Sequence, residues 1–164
     1  MKSKTNIFLF TSFLFAAALT GWLYYQMDNR IGDLSENNKT DQNFEVCDDN
    51  RITQNYGMRA EYSGGNKAIK EEILNDLQTL NFEQPGLITF PFIVNCKGKT
   101  GRFRVNSTGT DLQEIEVDPS KIKDIEKALL QLKKWAPAKN EFDSYDSYYV
   151  LNFKIRNNNI VDIF

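Results

Sequence analysis

The feature that most constrains this chain is a run of 23 uncharged residues close to the amino terminus, from Thr5 to Met27. As a helix with a rise of 1.5 Å per residue the run is roughly 34 Å long, about the thickness of the hydrocarbon core of a bilayer. Lys2 and Lys4 precede it, and mostly acidic charges follow it. Because flanks rich in Lys and Arg stay in the cytoplasm, we expect the amino terminus there and the rest of the chain outside.

A cleaved signal peptide is the alternative interpretation of this segment. Two lysines, an apolar stretch and the small residues Ala16 and Ala18 imitate the three parts of a secretory signal. Cleavage there would leave an exposed apolar tail, whereas in an uncut helix Trp22 and the two following tyrosines form an aromatic belt at the membrane interface. The belt favours a retained anchor over residues 1–26, in contact with the membrane through residues 7–25.

The composition of the chain excludes several classes of function. Its 164 residues are enough for one globular domain with a core of its own. It contains no histidine, which removes catalytic triads with an imidazole base, most zinc chemistry and the usual pH switch. Lys and Arg number 20 against 22 Asp and Glu, so no uniform positive field exists to attract nucleic acid.

A polar stretch, residues 27–43, separates the apolar run from the rest of the chain. It has no apolar periodicity and cannot bury enough surface to offset the entropy of ordering, so we predict a flexible tether. Without proline to stiffen it, the tether reaches at most about 60 Å when fully extended. The predicted organisation is thus an anchor or signal peptide, the tether, and a single domain over residues 44–164.

Cys47 and Cys96 are the only cysteines. In an exported chain an even pair normally forms a disulfide, and closing a loop of this size stabilises a fold by about 4 kcal/mol in the chain-entropy treatment. A redox pair is the alternative, but such pairs usually have the closer C-x-x-C spacing. Two cysteines without histidine do not complete a tetrahedral zinc site. We therefore predict a structural bridge, with no metal and no cofactor.

Two amphipathic helices are predicted in the domain. Asn66 caps the first, over residues 67–80. Asp118 and Pro119 begin the second, which is expected to end near Trp135. The apolar stripes consist of Ile69, Ile73, Leu77 and Leu80 in the first helix and Ile122, Ile125, Leu129 and Leu132 in the second.

A strand with alternating side chains follows Gly86. Its expected core face consists of Ile88, Phe90, Phe92 and Val94. Pro91 lies within this strand and cannot donate a ladder hydrogen bond, a position typical of an edge strand or a bulge. We therefore predict that the strand lies at the edge of the sheet.

Two hairpins complete the predicted sheet. A turn at residues 96–99 leads into a second strand, and a later turn at residues 157–159 lets residues 160–164 pair back onto the preceding strand. In the second strand the predicted inward residues are Phe103 and Val105, and the outward ones are Arg102 and Arg104. The expected fold class is α+β, with two helices packed on a three- to four-stranded antiparallel sheet.

A pair of short motifs resembles a catalytic site, and an acidic patch resembles a metal site. Residues 99–101 read K-T-G and residues 120–123 read S-x-x-K, but their order is the reverse of that in the serine acyl-transfer enzymes that use them. Glu114, Glu116 and Asp118 form an acidic patch that could bind calcium weakly, although the spacing is not that of an EF-hand loop. We interpret both as surface features and assign no catalytic residue.

Three stretches together resemble the carboxy-terminal domain of TonB-like proteins. They are LITFPFIVNCKGKTGRF after Gly86, W-A-P-A from Trp135, and YVLNFKI near the end. The family pattern is a glycine, an alternating strand, a glycine turn, a second strand, a helix, W-x-P and a last strand. The matching positions are Gly86, Phe90, Phe92, Val94, Gly98, Trp135, Pro137 and Phe153. The resemblance extends over roughly residues 57–164.

This resemblance implies a domain that adds its sheet to a short extended segment of an outer-membrane transporter, and energy transduction from a proton-driven motor in the inner membrane. Strand addition works because an unpaired edge offers backbone donors and acceptors in register. The chain departs from the family in two respects. Its anchor has no histidine for motor coupling, and its tether has no proline to make it a long, stiff stalk.

The sequence therefore predicts a non-enzymatic protein-binding module of the cell envelope. We expect a single-pass inner-membrane protein with its domain in the periplasm, or a periplasmic or secreted protein if the segment is cleaved. A TonB-type energy transducer and a secreted enzyme or inhibitor on the same fold are the alternatives. The aromatic residues Phe142, Tyr145, Tyr148 and Tyr149 are interpreted mainly as core. The predicted partner-binding residues are Tyr148, Val150, Asn152 and Lys154.

Overall fold

The structure, a computed structural model, describes residues 2–31, 34, 41, 44–54 and 57–164. The chain divides into two compact units, Met1–Asp33 and Leu34–Phe164. The first contains one helix, α1 (Lys2–Ile31). Its segment Asn6–Tyr25 is long and apolar enough to cross a membrane, with a mean hydropathy of 1.8, and a signal sequence has the same properties. The helix is therefore a membrane anchor or a signal sequence.

The serine and threonine hydroxyl groups within this apolar segment bond to the helix itself. Each donates to a carbonyl three or four residues earlier: Thr11 to Phe8 at 2.9 Å, Ser12 to Leu9 at 3.0 Å, and Thr20 to Ala16 at 2.8 Å. A polar group satisfied in this way is compatible with a hydrocarbon environment, where water is not available as a partner.

Most of the predicted tether lies outside the described residues. Where this stretch is described, α1 continues through Ile31, and both Leu34 and Asp41 are buried in the second unit. The carboxylate of Asp41 accepts a hydrogen bond from the Arg104 guanidinium at 2.9 Å. The second unit thus includes residues on the amino-terminal side of the predicted boundary at residue 44.

The second unit is an α+β domain, as predicted. Its elements in chain order are β1 (Glu61–Tyr62), α2 (Gly65–Leu77), β2 (Gly86–Val94), β3 (Thr100–Gly101), β4 (Asn106–Gly109), α3 (Pro119–Gln131), β5 (Trp135–Ala136), β6 (Ala138–Lys139), β7 (Ser144–Tyr145), β8 (Ser147–Arg156) and β9 (Asn159–Ile163). The main sheet is antiparallel, in the order β3-β2-β8-β9 with β4 also paired to β2. Two small sheets, β1-β5 and β6-β7, complete the described part of the domain.

The main sheet has five strands in the described chain, rather than the predicted three or four. The difference arises because the predicted second strand is broken into β3 and β4. Arg102 stands at the break with φ 53, in the left-handed region. The prediction that Arg102 points to solvent is wrong, because the residue is only 4% exposed. Its guanidinium contacts the Asp49 carboxylate at 2.7 Å. Phe103 packs against the core as predicted, whereas Val105 is exposed.

The prediction that the strand containing Pro91 is an edge strand is wrong. β2 pairs with β8 along its whole length and with β3 and β4 on its other side. The proline is tolerated because the neighbouring strand is interrupted opposite it, so no ladder donor is required there. On the side facing β3 and β4, Pro91 takes part in hydrogen bonding only through its carbonyl, which accepts from the Arg104 amide at 3.0 Å.

Both predicted helices are present with shifted ends. α2 begins after Gly64, whose φ of 88 a glycine adopts easily, rather than after a side-chain cap at Asn66. The Asp118 cap of α3 is confirmed, because its carboxylate accepts from the Ser120 amide at 2.8 Å. α3 ends at Gln131, before Trp135, which pairs with Tyr62 in the small sheet of β1 and β5.

The core lies between α2, α3 and one face of the main sheet. The predicted core face of β2 is confirmed, since Ile88, Phe90, Phe92 and Val94 are all buried. Trp135 packs edge-on against three rings of this core, with centroid distances of 4.9 Å to Tyr62, 5.6 Å to Phe92 and 4.7 Å to Tyr149. The final hairpin is also confirmed, with Asn157 and Asn158 both at positive φ.

A polar cluster joins three segments at the margin of this core. The Tyr62 hydroxyl donates to the Glu72 carboxylate at 2.7 Å, and the Lys134 ammonium also bonds to Glu72. Burial, the hydrogen bond to Glu72 and the charge of Glu72 raise the pKa of Tyr62 from 10.0 to about 12. A backbone hydrogen bond at Lys134 lowers this pKa, but by less. Neutral Tyr62 is therefore the form that the fold favours.

This shift predicts a specific loss of stability in alkali. The contribution of neutral Tyr62 is fully present below pH 10 and is lost as the pH rises to about 12, because the unfolded chain loses that proton first. Chemical denaturation at intervals from pH 9 to pH 12 should show a smaller decline in the free energy of unfolding for Tyr62→Phe than for wild type. Equal slopes for the two proteins would contradict the assignment.

Candidate functional site

The structure places the four predicted partner-binding residues on one face of β8. Leu151, Phe153 and Ile155 point to the core, so Tyr148, Val150, Asn152 and Lys154 lie on the opposite face. Cross-strand pairing adds residues of β2 and the residue after β9 to this surface. We call the surface the outer sheet face, and its members are Leu87, Thr89, Pro91, Ile93, Tyr148, Val150, Asn152, Lys154 and Phe164.

The backbone of β8 is paired along its whole length on one side, and at Tyr148 and from Asn152 to Arg156 on the other. β2 runs along one side, and β9 covers the other side from Phe153 to Arg156. Asn152 and Phe164 exchange two backbone hydrogen bonds, at 2.8 and 3.1 Å, and the Tyr148 amide donates to the Thr53 carbonyl at 3.2 Å. The predicted residues are therefore presented by their side chains, because the last hairpin occupies the edge that a partner strand would need.

The outer edge of β9 is protected as well. The strand contains an irregularity opposite Lys154 and Ile155, and the Asp162 carboxylate accepts from the Lys70 ammonium at 2.6 Å and from the Ile163 amide at 3.1 Å. The hydrogen bond from Lys70 is the main cause that lowers the pKa of Asp162. A bulge and a charge at an edge strand discourage the addition of another strand.

The outer sheet face has an open part around Val150 and Phe164, which are each 47% exposed. Between them the Thr89 hydroxyl donates to the Asn152 side-chain carbonyl at 2.9 Å, which fixes the polar centre of the surface. Among the aromatic residues expected to lie mainly in the core, Tyr149 packs there, whereas Phe142 is exposed on the loop between β6 and β7.

The other part of the same face is covered by the chain itself. We call residues 44–54 the arm. The Phe44 ring lies against Gly101 so closely that a Cβ on this glycine would come within 2.1 Å of it. Gly101 pairs with Ile93, which is fully buried. The arm thus covers the β3 side of the face. Its Thr53 also bonds to β8 at Tyr148, so the open part of the face lies around Val150 and Phe164.

The buried carboxylate of Asp146 holds the arm in place, and the sequence alone offered little sign of it. Asp146 is 1% exposed. One of its oxygens accepts from the amides of Cys47 and Asp48 at 2.7 and 2.8 Å, and the other accepts from the Cys96 amide at 2.8 Å. The only signal was an acidic residue immediately before a strand pattern.

The predicted disulfide between Cys47 and Cys96 is confirmed. It crosses the same junction as Asp146, and the ligand atoms of these three residues lie within 4.8 Å of one another. Both sulfurs are in the disulfide and offer no thiolate, while the carboxylate already accepts three amides, so the arrangement is a structural junction. Asn95 strengthens it by donating to the Glu45 carbonyl at 2.9 Å.

Comparisons of this chain with family models, with curated proteins and with solved structures found no match. The resemblance to the TonB-like domain accordingly rests on the sequence pattern alone, and the functional argument rests on the surfaces described above.

Removing the charge of Asp146 should destabilise the domain. In Asp146→Asn the amide nitrogen cannot accept a hydrogen bond, so at least one buried backbone amide loses its partner, and we expect a loss of about 3 kcal/mol in the free energy of unfolding. Denaturant titration of the full chain in detergent measures this loss. Asp143→Asn, at an exposed position nearby, is the matched control and should change the stability by less than about 0.5 kcal/mol. Equal effects of the two substitutions would contradict the role of Asp146.

Adding a methyl group at Gly101 should displace the arm. We expect Gly101→Ala to cost about 1–3 kcal/mol, because the new Cβ overlaps the Phe44 ring. The double variant Gly101→Ala/Phe44→Ala removes the overlap with the ring and leaves only the contact with the Cβ of residue 44, at 2.6 Å. Its loss of stability should therefore be smaller than the sum of the losses in the two single variants. Thermal unfolding of the four proteins tests this, with Gly57→Ala as the control, since nothing lies within 4 Å of that position. Strict additivity would refute the contact.

Proposed function

We propose that this chain is a non-enzymatic protein-binding module of the cell envelope, anchored in the inner membrane by α1 with its domain in the periplasm. The apolar segment Asn6–Tyr25 and the Cys47–Cys96 disulfide support an anchored protein in an oxidising compartment. The lysines before the segment support a cytoplasmic amino terminus. The TonB-like pattern supports a domain whose work is to hold another protein chain.

One observation carries the proposal of binding: the open part of the outer sheet face. The other face of this sheet is covered by the core, and a solvated face of such a sheet normally carries polar residues. Here Val150 and Phe164 lie diagonally across β8 and its neighbour, each nearly half exposed, around the Thr89–Asn152 hydrogen bond. Apolar side chains around a fixed polar group are the composition that a protein interface uses.

The mode of binding that follows is contact through side chains. β9 occupies one side of β8, and a bulge and Asp162 protect the outer edge of β9, so strand addition at this end of the sheet would require the last hairpin to open. We therefore propose that the partner lies across the outer sheet face and contacts Tyr148, Val150, Asn152 and Lys154.

Site-specific crosslinking tests this function. The full chain carrying a photoreactive amino acid at position 150 is expressed in the cells that naturally produce it. On illumination it should give a discrete adduct with one envelope protein. The same amino acid at position 127, an exposed position on α3, is the control and should give none. Absence of an adduct at 150, or the same adduct at both positions, would argue against the outer sheet face. Recovery of a transporter together with a motor complex would instead support the energy transducer.

A charge on this face should disrupt binding without unfolding the domain. Val150→Asp places a carboxylate where the side chain is half exposed, so we expect a cost to stability below about 1 kcal/mol and a loss of the crosslinked adduct from a reporter at position 164. Val161→Asp, a similarly exposed valine on β9 outside the defined face, is the matched control. If both variants retain the adduct, the proposed surface is wrong.

A further inference from the structure

A groove at the Gly86 end of the sheet combines an apolar floor with an acidic rim. Its two walls are residues 82–84 and residues 114–119, and its volume is about 500 Å³. The floor consists of Phe82, which is buried, with the half-buried Ile115 and Val117. Four exposed carboxylates stand around it, from Glu83, Glu114, Glu116 and Asp118. We call this feature the acidic groove.

Backbone hydrogen bonds fix both walls of the acidic groove. The Ile115 amide donates to the Ser107 carbonyl at 3.0 Å, and the Phe82 amide donates to the Asn158 carbonyl at 2.8 Å. The first of these holds residues 114–117 extended beside β4, so side chains alternate between solvent and floor. This alternation turns Glu114 and Glu116 outward and the two apolar residues inward. The groove is thus formed before any ligand arrives.

The charges of the acidic groove are unbalanced. Lys121 is the one basic residue that lines it, against four carboxylates. The Lys121 ammonium lies 5.7 Å from the centroid of the Phe82 ring. A cation above an aromatic face is attracted by the ring, and its methylene stem covers apolar surface. Lys121 therefore occupies part of the groove and would compete with the cations of a ligand.

The carboxylates are spread along the groove and do not converge on a point. Within the part of the chain that the structure describes, no three of them bring their oxygens close enough together to share a metal ion. A calcium ion requires six to eight oxygen ligands around one centre, so the groove does not match it. Distributed negative charge along an apolar floor instead matches several cations carried on one chain.

We infer that the acidic groove binds an extended segment of the partner protein that carries lysine or arginine side chains. Charge complementarity is the argument for this occupant: the ammonium or guanidinium groups face the four carboxylates, and the aliphatic stems contact Ile115 and Val117, which are half-buried. The inference rests on the proposed function, because it assigns the chemistry of a partner that the domain must have. It adds a second contact region to the outer sheet face.

A peptide titration tests the inference directly. The full chain in zwitterionic detergent micelles is titrated into a fluorescent nine-residue peptide of alternating lysine and valine, and binding is followed by anisotropy at 50 and 500 mM NaCl. A peptide with glutamate in place of lysine is the control probe. We expect binding of the basic peptide alone, weakened at the higher salt concentration because the contacts are exposed charges.

Substitutions then locate the binding. In Glu114→Gln/Glu116→Gln two exposed charge contacts are lost, so we expect binding about fivefold weaker. Glu71→Gln/Glu141→Gln removes the same charge from exposed positions outside the groove and should leave affinity within about twofold of wild type. Lys121→Gln removes the competing ammonium and should strengthen binding. Equal weakening by the two double variants, or full affinity of the groove variant, overturns the inference.

The crosslinking experiment separates failure of this inference from failure of the proposed function. If the adduct at position 150 forms in the cell and the basic peptide does not bind the groove, the outer sheet face is the binding surface and the inference about the groove falls alone. If the peptide binds as expected and the Glu114→Gln/Glu116→Gln variant also reduces the adduct at position 150, both surfaces contact the same partner and the inference is supported.

Discussion

The antiparallel pairing of β2 with β8 is the interaction on which the rest of the domain depends. It joins nine consecutive residue pairs, from Gly86 with Ile155 to Val94 with Ser147. Its register places the phenylalanines of both strands on one face, where Phe90 and Phe153 pack edge-on with centroids 5.6 Å apart. Because a shift by one residue would turn every side chain to the other face, this pairing also determines which residues form the outer sheet face.

The same register creates the junction at one end of the sheet. Val94 pairs with Ser147 at this end of the two strands. Beyond that pair Cys96 lies beside Asp146, and its amide donates to the Asp146 carboxylate. The same carboxylate accepts a hydrogen bond from the amide of Cys47 in the arm, 99 residues away in sequence. The Cys47–Cys96 disulfide links the arm to the sheet at the same place. A buried carboxylate is tolerated because three backbone donors replace the water that it loses. Covalent and hydrogen-bonded links thus secure the arm together.

The proposed function follows from how the sheet exposes its surfaces. At one end of the sheet the last hairpin lies beside β8, and a bulge and a charge protect the outer edge of β9. Recognition in this proposal is therefore a property of side chains: an apolar patch around Val150 and a charged groove around Glu114 and Glu116. The two surfaces have different chemistry, so the proposed partner would present an apolar contact and a basic segment at once, and this double requirement would give selectivity.

The sequence by itself determined the features that depend on local chemistry or on periodicity. These were the apolar helix, the apolar stripes of α2 and α3 apart from Leu80, which lies beyond the end of α2, the Asp118 cap, the phenylalanine face of β2, the final asparagine turn and the pairing of the two cysteines. Only the tertiary structure decided the features that depend on a neighbour distant in sequence. Pro91 is tolerated in a central strand because the strand beside it is interrupted. Arg102 is buried because the arm packs on it through Asp49. Asp146 joins segments that no local sequence pattern connects. Such contacts produce no repeating pattern in the sequence. Each is made once, between two residues whose separation along the chain depends on the whole fold.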